Sequence, residues 1–410
     1  MKGEFIVKNA RVIDPSRNID KVCDVKVRDG AFAASVSKSA KIIDAKGLIL
    51  APGFVDLHTH LREPGQTSKE TVETGTMAAA AGGYTSIVAM PNTSPAADNT
   101  STIRLINDII DEKAKVRVYQ SACITEGRSG EKLAPLGSLS DMGVRAITDD
   151  GACIQNAEIM RNAMQYAKMF GLFVMDHCQD MSLTASGQIH EGEWSVRLGL
   201  GGWPSAAEDI IVARDIVLAD STKSHIHLQH ISSAFSVDLI RQAKKRGVSV
   251  SAEATPHHLA LTDACLKDFD TNFKMCPPLG SEADRKALIK GVVDGTIEVI
   301  ATDHAPHTET EKDREFNLAP FGIIGLETAF SVCHEVLVRS NKIDMARLVG
   351  LMSTRPAQLL GIEAGSLAEG MPADFVLIDE NAEYVYNKPL SRSKNSPWLG
   401  SKLQIGRAHV

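Results

Sequence analysis

The sequence lacks the features that mark secreted and membrane proteins. Its seven cysteines are odd in number and scattered, with no Cys-x-x-Cys pair, so neither a disulfide framework nor a cysteine zinc site is indicated. Its longest apolar stretches, such as Met77 to Ala81, fall far short of the about 18 residues of a membrane-spanning helix. The first residues show no signal-peptide pattern, and a cytoplasmic location is therefore expected.

A basic excess is also missing. The formal net charge is -7 over 410 residues, with no basic stripe for nucleic acid and no polybasic anchor for a membrane. Chemistry on a small molecule is favoured instead. The length allows a barrel of about 250 residues together with a smaller appended domain.

Two histidines of one predicted strand, His58 and His60, are the most informative feature of the chain. Residues two apart in a strand project to the same face, so these imidazoles lie side by side on one rigid element. Such a pair is weak evidence alone, because a metal site needs about two more nitrogen or oxygen ligands from elsewhere.

Three later segments supply candidates for the missing ligands. Apolar runs end at His177 and at His230, and a third run ends at Asp303, which is flanked by His304 and His307. Each run predicts a buried strand with a polar residue at its C-terminal end. One such histidine alone is more often hydrogen-bonded to backbone, but four strands ending in metal-ligand residues are hard to explain by packing.

The order of the predicted elements indicates an α/β fold. Eight predicted strands alternate with helical stretches such as Ser205 to Asp220 and Glu282 to Asp294, the latter ending at Gly295. This order predicts a TIM (β/α)8 barrel whose active site lies at the C-terminal ends of the strands. The eight strands are Phe54 to His60, Ser86 to Met90, Val116 to Ile124, Arg145 to Asp150, Leu172 to His177, His225 to Ile231, Ser249 to Thr255, and Glu298 to His304.

Short β-type runs flank the predicted barrel on both sides. The predicted domains are 1–51, the N-terminal half of a β-sandwich domain, 52–362, the metal-dependent barrel, and 363–410, the C-terminal half of the β domain. The barrel would then be an insertion between the two halves. Further β strands are expected where residues 400–410 stand, so we interpret this tail as truncated or partly foreign.

Eight stretches of the sequence carry a family resemblance: Gly53 to Arg62, Ala89 to Thr93, Thr148 to Gly151, Met175 to Cys178, Gln229 to Ser232, Ala301 to His307, Phe321 to Leu326, and Ser391 to Asn395. The chain resembles the bacterial class I dihydroorotases of the amidohydrolase superfamily. The resemblance runs nearly end to end, and its motifs together are highly specific.

This resemblance implies a zinc site with one or two ions, two being favoured. One ion would be held by the histidine pair and Asp303, and the other by His177 and His230. A carbamylated lysine often bridges the two, but the fourth predicted strand has no lysine, which matches the subgroup that uses an aspartate, here Asp150. Bound zinc leaves a position for water, whose pKa falls to about 7. Asp303 is expected to be both a ligand and the general acid/base.

The resemblance also implies a substrate site. Arg62, two residues beyond His60 and expected on the same strand face, would pair with a substrate carboxylate. The chain departs from the family where Cys276 and Gly280 replace the usual Asn and Arg, which weakens the assignment of the substrate. The residues expected to contact substrate are Arg62, Asn92, Cys276, His307, Phe321 and Gly322.

Three functions compete. Dihydroorotase, the reversible cyclisation of N-carbamoyl-L-aspartate to dihydroorotate in pyrimidine synthesis, is favoured over a hydantoinase or allantoinase because the strand-four lysine is absent and Arg62 and Asn92 are present. An inactive scaffold homologue for aspartate transcarbamoylase would have lost metal ligands, and every ligand position is filled. A homodimer and a possible transcarbamoylase partner are expected. The other histidines are interpreted as structural: His225 and His227 because of their strand parity relative to His230, and His190, His334 and His409 because of their helix-like or tail settings.

Overall fold

The computed structural model describes the chain from residue 3 to residue 409. Its first seven strands, β1 to β7, are Glu4–Lys8, Arg11–Asp14, Ile19–Val22, Val25–Arg28, Ala31–Phe32, Lys41–Asp44 and Ile49–Pro52. One sheet has the order β5, β4, β1, β6. Its strand β1 buries Phe5 and Val7 on one face, the alternation expected of a sheet packed on one side.

Parallel strands form the central part of the molecule. Strands β8 to β17 are Phe54–Thr59, Tyr84–Ala89, Arg117–Gln120, Ala146–Ile147, Phe173–Asp176, Ile189–His190, Gly202–Trp203, Ile226–Leu228, Val250–Ala254 and Val299–Ile300. They pair in the orders β10-β9-β8 and β11-β12-β15-β16-β17, while β13 and β14 form a separate pair. Two parallel bridges, Thr59 to His304 and Ala122 to Ile147, join the ends of these two groups.

Helices follow most of these parallel strands. The α-helices α1 to α14 are Val72–Ala81, Thr100–Lys113, Leu136–Asp141, Ala157–Met169, Met181–Thr184, Glu193–Leu198, Ala206–Thr222, Ala234–Lys245, Pro256–Ala260, Glu282–Asp294, Glu309–Lys312, Ala329–Cys333, Met345–Val349 and Arg355–Leu360. Short 3₁₀ segments span Pro15–Arg17, Glu126–Arg128, Asp263–Asp268 and Thr271–Phe273, and π-helical turns span His334–Arg339 and Gly350–Thr354.

Helix α10 shows how local sequence sets an element. Ser281 accepts a hydrogen bond from the backbone N–H of Asp284, and the Asp284 side chain accepts one from the backbone of Ser281, which is a capping box. The helix ends at Gly295, whose φ of 82° suits glycine. The predicted helix had the same boundaries.

The C-terminal strands return to the N-terminal part of the chain. Strands β18 and β19 are Phe375–Val385 and Lys402–His409. A five-stranded sheet has the order β19-β18-β7-β2-β3, and β18 runs antiparallel to β7, with Phe375 opposite Pro52. Segments from the two ends of the described chain therefore share one sheet.

The hydrophobic core surrounds the parallel strands on both faces. All six residues of β8 are buried, including the polar Asp56 and His58. The observed strands are shorter than predicted, because β11 and β17 each keep only two residues in regular pairing and the chain leaves the ladder before the polar residues. Within residues 3–409, no helix combines the length and the apolar character needed to cross a bilayer.

Candidate metal centre

Six side chains from the C-terminal ends of the parallel strands meet in one buried cluster. They belong to three overlapping groups whose potential ligand atoms lie within 4.8 Å of one another. All six are at most 6 % exposed. Their residues are His58, His60, Asp150, His177, His230 and Asp303.

Asp150 lies between the two pairs of histidines. Its Oδ1 is 3.2 Å from Nε2 of His58 and 3.6 Å from Nδ1 of His177, and its Oδ2 is 3.6 Å from Nε2 of His60. The oxygens of the Asp150 carboxylate thus face histidines on both sides, as those of a bridging ligand would.

Asp303 closes the cluster on the side of the first histidine pair. Its Oδ1 is 3.0 Å from Nε2 of His60 and 3.4 Å from Nε2 of His58. Burial alone would raise the pKa of the Asp303 carboxyl, but the charge of His58 and the hydrogen bond from His60 hold it well below its usual range. An ionised carboxylate is the form that binds a metal.

The backbone at the cluster is unusual. Asp303 has φ of 45° and His230 has φ of 30°, in the left-handed region that non-glycine residues seldom adopt. His230 lies two residues after the end of β15 and Asp303 lies three residues after the end of β17. Such backbone strain persists where the surrounding structure imposes it, and it is concentrated at functional sites.

His177 and His230 form the second pair. Nδ1 of His177 lies 2.8 Å from Nε2 of His230, so these two nitrogens face the same point. The other ring nitrogen of His177, Nε2, is 2.8 Å from Oε1 of Gln179, to which it donates. This contact leaves Nδ1 of His177 free of its proton and directed into the cluster.

Glu253, which sequence reasoning missed, orients the first histidine. Its Oε1 is 2.8 Å from Nδ1 of His58, and its Oε2 is 3.0 Å from Nε2 of His227. Burial would raise the pKa of Glu253, but these two hydrogen bonds lower it to about 2. The carboxylate therefore fixes the His58 ring with Nε2 facing the cluster. Its sole signal in the sequence is an acid within the otherwise apolar and small run of β16.

A cationic group stands beside the cluster. Nη2 of Arg62 is 3.5 Å from Nε2 of His307, and Nε of Arg62 donates to the carbonyl of Pro306 at 3.3 Å. Burial lowers the pKa of Arg62 to about 10, which keeps the guanidinium charged at neutral pH. The expectation that Arg62 lies on the strand face of His60 is wrong, because β8 ends at Thr59 and Arg62 has φ of 59°.

Asn92 connects this region to the metal-ligand residues. Its Oδ1 accepts from Nδ1 of His60 at 3.0 Å, and its Nδ2 lies 3.5 Å from Oδ2 of Asp150. The first contact sets the tautomer of His60 with Nε2 facing Asp303. Asn92 therefore contacts two residues of the cluster.

The remaining predicted substrate residues differ in what they contact. Sγ of Cys276 lies 3.7 Å from Nε2 of His177. The backbone of Gly322 lies directly against His307, since a Cβ there would come within 2.7 Å of the imidazole. The ring of Phe321 packs edge to face against Trp203, with centroids 5.9 Å apart.

Most histidines outside the cluster have other partners. His225 and His227 both lie within hydrogen-bond distance of the Ser251 hydroxyl, at 2.8 and 2.7 Å. His304 bonds to Glu70 at 3.2 Å. The expectation of a helix-like setting for His190 is wrong, because this residue lies on strand β13 and Nε2 of its ring is 3.1 Å from Oγ of Ser205.

Solved structures share this fold over nearly the whole chain. A dihydropyrimidinase from Brevibacillus agri NCHU1002 matches with a TM-score of 0.86 at 24 % identity, over 98 % of this chain and 92 % of that one. An L-hydantoinase from Arthrobacter aurescens matches with a TM-score of 0.89 at 22 % identity, over 99 % and 94 %. The protein thus has the α/β fold of these cyclic amidohydrolases.

Sequence relatives are considerably more similar. A dihydroorotase of Geotalea daltonii is 48 % identical over 413 residues, covering 99 % of this chain and 97 % of the relative. A dihydroorotase of Solibacter usitatus is 46 % identical over 400 residues, covering 96 % and 93 %. The family model described as Dihydro-orotase-like matches residues 47–236. The chain belongs to the dihydroorotase family.

Proposed function

We propose that the protein is a zinc-dependent dihydroorotase, which interconverts N-carbamoyl-L-aspartate and dihydroorotate in pyrimidine synthesis. The observation that carries this proposal is the buried cluster of four histidines and two aspartates, complete in a chain 43–48 % identical to proteins named dihydroorotase. An inactive scaffold would not need all six potential ligands.

We also propose that the strands around the site form a closed (β/α)8 barrel. The two groups of parallel strands contain eight strands, and the bridges from Thr59 to His304 and from Ala122 to Ile147 support closure of the ring. The sheet that combines β18 and β19 with β7, β2 and β3 supports a composite β domain around that barrel.

The cluster fits a metal on chemical grounds. Neutral imidazoles and carboxylates suit zinc. Nε2 of His58 is buried, and within residues 3–409 it makes no hydrogen bond of good geometry, although Oδ1 of Asp150 lies 3.2 Å away. A metal ion facing both atoms would satisfy this nitrogen. His58, His60 and Asp303 would hold one ion, His177 and His230 would hold the second, and Asp150 would bridge them. Zinc bound there would supply Lewis-acid activation of water and of the amide carbonyl.

Asp303 would move the proton of the reaction. In the hydrolytic direction, water adds to the ring carbonyl and the carbon–nitrogen bond of the cyclic amide breaks. The Asp303 carboxylate takes a proton from the attacking water and gives it to the departing ring nitrogen. Its lowered pKa keeps it ionised at neutral pH, so it starts the hydrolytic cycle as a base.

Arg62 would bind the carboxylate of the substrate. The guanidinium is buried beside His307, and burial strengthens a charge-assisted hydrogen bond. Asn92, Cys276, His307, Phe321 and Gly322 would complete the substrate site. Cys276 offers only a weak thiol donor at a position where the dihydroorotases that this chain resembles usually have an asparagine amide. Hydrogen bonds to the substrate ring at this position should therefore be weaker.

The experiment that tests this function compares three substrates. The purified protein, with its zinc content measured by mass spectrometry, is assayed with dihydroorotate, hydantoin and allantoin. We expect turnover of dihydroorotate, with little or none of the others. Hydantoin or allantoin turned over in preference would favour the sister amidohydrolases, and no turnover of any with zinc bound would favour a scaffold. A homodimer, a transcarbamoylase partner and a cytoplasmic location stay predictions.

A further inference from the structure

Residues 313–322 form a segment that makes little regular backbone pairing and ends beside His307. Within it, Leu318 and Ala319 donate to the carbonyl of Glu315, and Gly322 donates to the carbonyl of Lys274. The carbonyls of the segment's second half must find partners elsewhere, because a buried carbonyl without a hydrogen bond is costly.

Lys274 supplies the first set of partners. This side chain is only 2 % exposed, and its Nζ donates at 2.6 Å to the carbonyl of Phe316 and at 2.7 Å to that of Ala319. Oε1 of Gln188 accepts a third hydrogen bond at 2.6 Å. A lysine offers three donors, and all three are therefore used. The same Nζ lies over the ring of Phe321, 4.6 Å from its centroid.

Lys312 supplies the second set. Its side chain is 5 % exposed, and its Nζ donates to the carbonyl of Pro320 at 3.0 Å and to that of Gly322 at 3.1 Å. A longer contact of 3.5 Å reaches the carbonyl of Lys274. The two lysines thus hold the segment through the carbonyl oxygens of four residues, Phe316, Ala319, Pro320 and Gly322.

The held end of the segment lies against the proposed substrate site. Gly322 has φ of 151°, and a Cβ there would collide with the carbonyl of Ala305 and with His307. Nδ2 of Asn395 donates to the carbonyls of both Ala305 and Gly322 at 3.0 Å, and Oδ1 of Asn395 accepts from the backbone of His307 at 3.1 Å. A shift of the segment would therefore move Gly322 away from His307.

We propose that Lys274 and Lys312 are positioning residues, which fix residues 316–322 so that Phe321 and Gly322 form one wall of the substrate site. Neither lysine contacts the metal-ligand cluster. The role in substrate binding rests on the proposed function, since it assumes that this wall meets dihydroorotate.

Methionine variants test the proposal, because methionine fills a similar space without donating hydrogen bonds. For Lys274→Met and Lys312→Met we expect the KM for dihydroorotate to rise at least about tenfold, the loss typical of a charge-assisted hydrogen bond. The kcat should change less than about threefold and the zinc content should be unchanged. The exposed Lys286 on α10 gives a matched control, Lys286→Met, with wild-type kinetics.

Limited digestion with trypsin measures how readily the segment opens, and it needs no substrate of the enzyme. Arg314 is exposed, and the variants should be cut after it at least about tenfold faster than the wild type and the control. If a methionine variant does not fold, Lys312→Gln takes its place in the comparison. This variant keeps amide donors, and it should still be cut faster than the wild type.

Unchanged KM together with unchanged cleavage would overturn the proposal. Loss of zinc along with activity would also overturn it, because the lysines would then support the whole centre rather than this segment. A wild-type protein that does not turn over dihydroorotate would refute the proposed function alone, and the digestion would still decide whether the lysines hold the segment.

Discussion

Asp303 combines three properties that rarely occur together. It follows a strand end in left-handed backbone, it is 4 % exposed, and its Oδ1 faces two imidazoles at 3.0 and 3.4 Å. The sequence predicted its position from the apolar run before it. It could not predict the backbone strain, which depends on contacts with neighbouring strands.

Replacing this residue separates proton transfer from metal binding. Asp303→Asn keeps an oxygen ligand but cannot carry a proton, so we expect zinc content near that of the wild type and a kcat lower by about 10² to 10⁴-fold. Steady-state kinetics and metal analysis of the same preparation check this. Near-normal turnover would refute the role of Asp303 as the proton carrier.

Arg62 allows a test of substrate charge. Arg62→Met should raise the KM for dihydroorotate far more than that for an uncharged cyclic amide, because only dihydroorotate presents a carboxylate. A charge-assisted hydrogen bond is worth about 1.5 to 3 kcal/mol, which corresponds to about 10 to 150-fold. Equal losses on both substrates would favour a hydantoinase-like site.

A substitution of Glu253 tests whether this carboxylate orients the ring of His58. The variant Glu253→Gln offers one amide oxygen where His58 and His227 each need an acceptor, so we expect zinc affinity to fall about 10 to 100-fold. Competition with a chelator measures this. Glu73→Gln, at an exposed residue of α1 paired with Lys115, is the matched control. Equal affinity in the two variants would show that Glu253 does not orient the ligand.

At the scale of elements, hydrophobic periodicity located helices better than strands. Helix α10 was predicted at its observed ends, because a serine cap and a glycine stop mark both. The strand around Val299 was predicted to run to His304, yet regular pairing ends at Ile300. An apolar run shows that a segment is buried, but pairing depends on neighbours that are distant in sequence.

The segment 313–322 has a pH dependence that follows from Lys312. Burial and the charge of Lys274 lower the pKa of Lys312 from 10.5 to about 7, although the charge of Asp270 acts to raise it. An opened segment would return this pKa toward 10.5, so the open form binds the proton more tightly and low pH favours opening. Raising the pH above about 7 should therefore stabilise the closed segment.

Hydrogen exchange measures this effect. Protection of a peptide covering 313–322, corrected for the intrinsic rate at each pH, should rise between pH about 7 and 9 by at most about tenfold per pH unit. A peptide from α10 serves as the internal control. Protection that falls relative to this control would contradict the assignment of the titrating group to Lys312.

At the scale of the whole molecule, the order of elements predicted the alternation of strands and helices around the site. The β domain shared by both ends of the chain stays a prediction, which the pairing of β18 with β7 supports. The sequence did not reveal the Lys274 and Lys312 contacts, since their partners are backbone carbonyls that no side-chain pattern records. Carbonyl positions follow from the fold alone.

In the proposed function, the carboxylate of Asp150 bridges a zinc centre that acts on dihydroorotate. Metal-free protein is titrated with zinc in carbon-dioxide-free buffer, with and without added bicarbonate, and the rate with dihydroorotate is followed. A carboxylate bridge needs no carbon dioxide, so activity should rise to a plateau at about two zinc ions per chain, equally in both buffers. A clear requirement for bicarbonate, or a plateau without dihydroorotate turnover, would contradict the account.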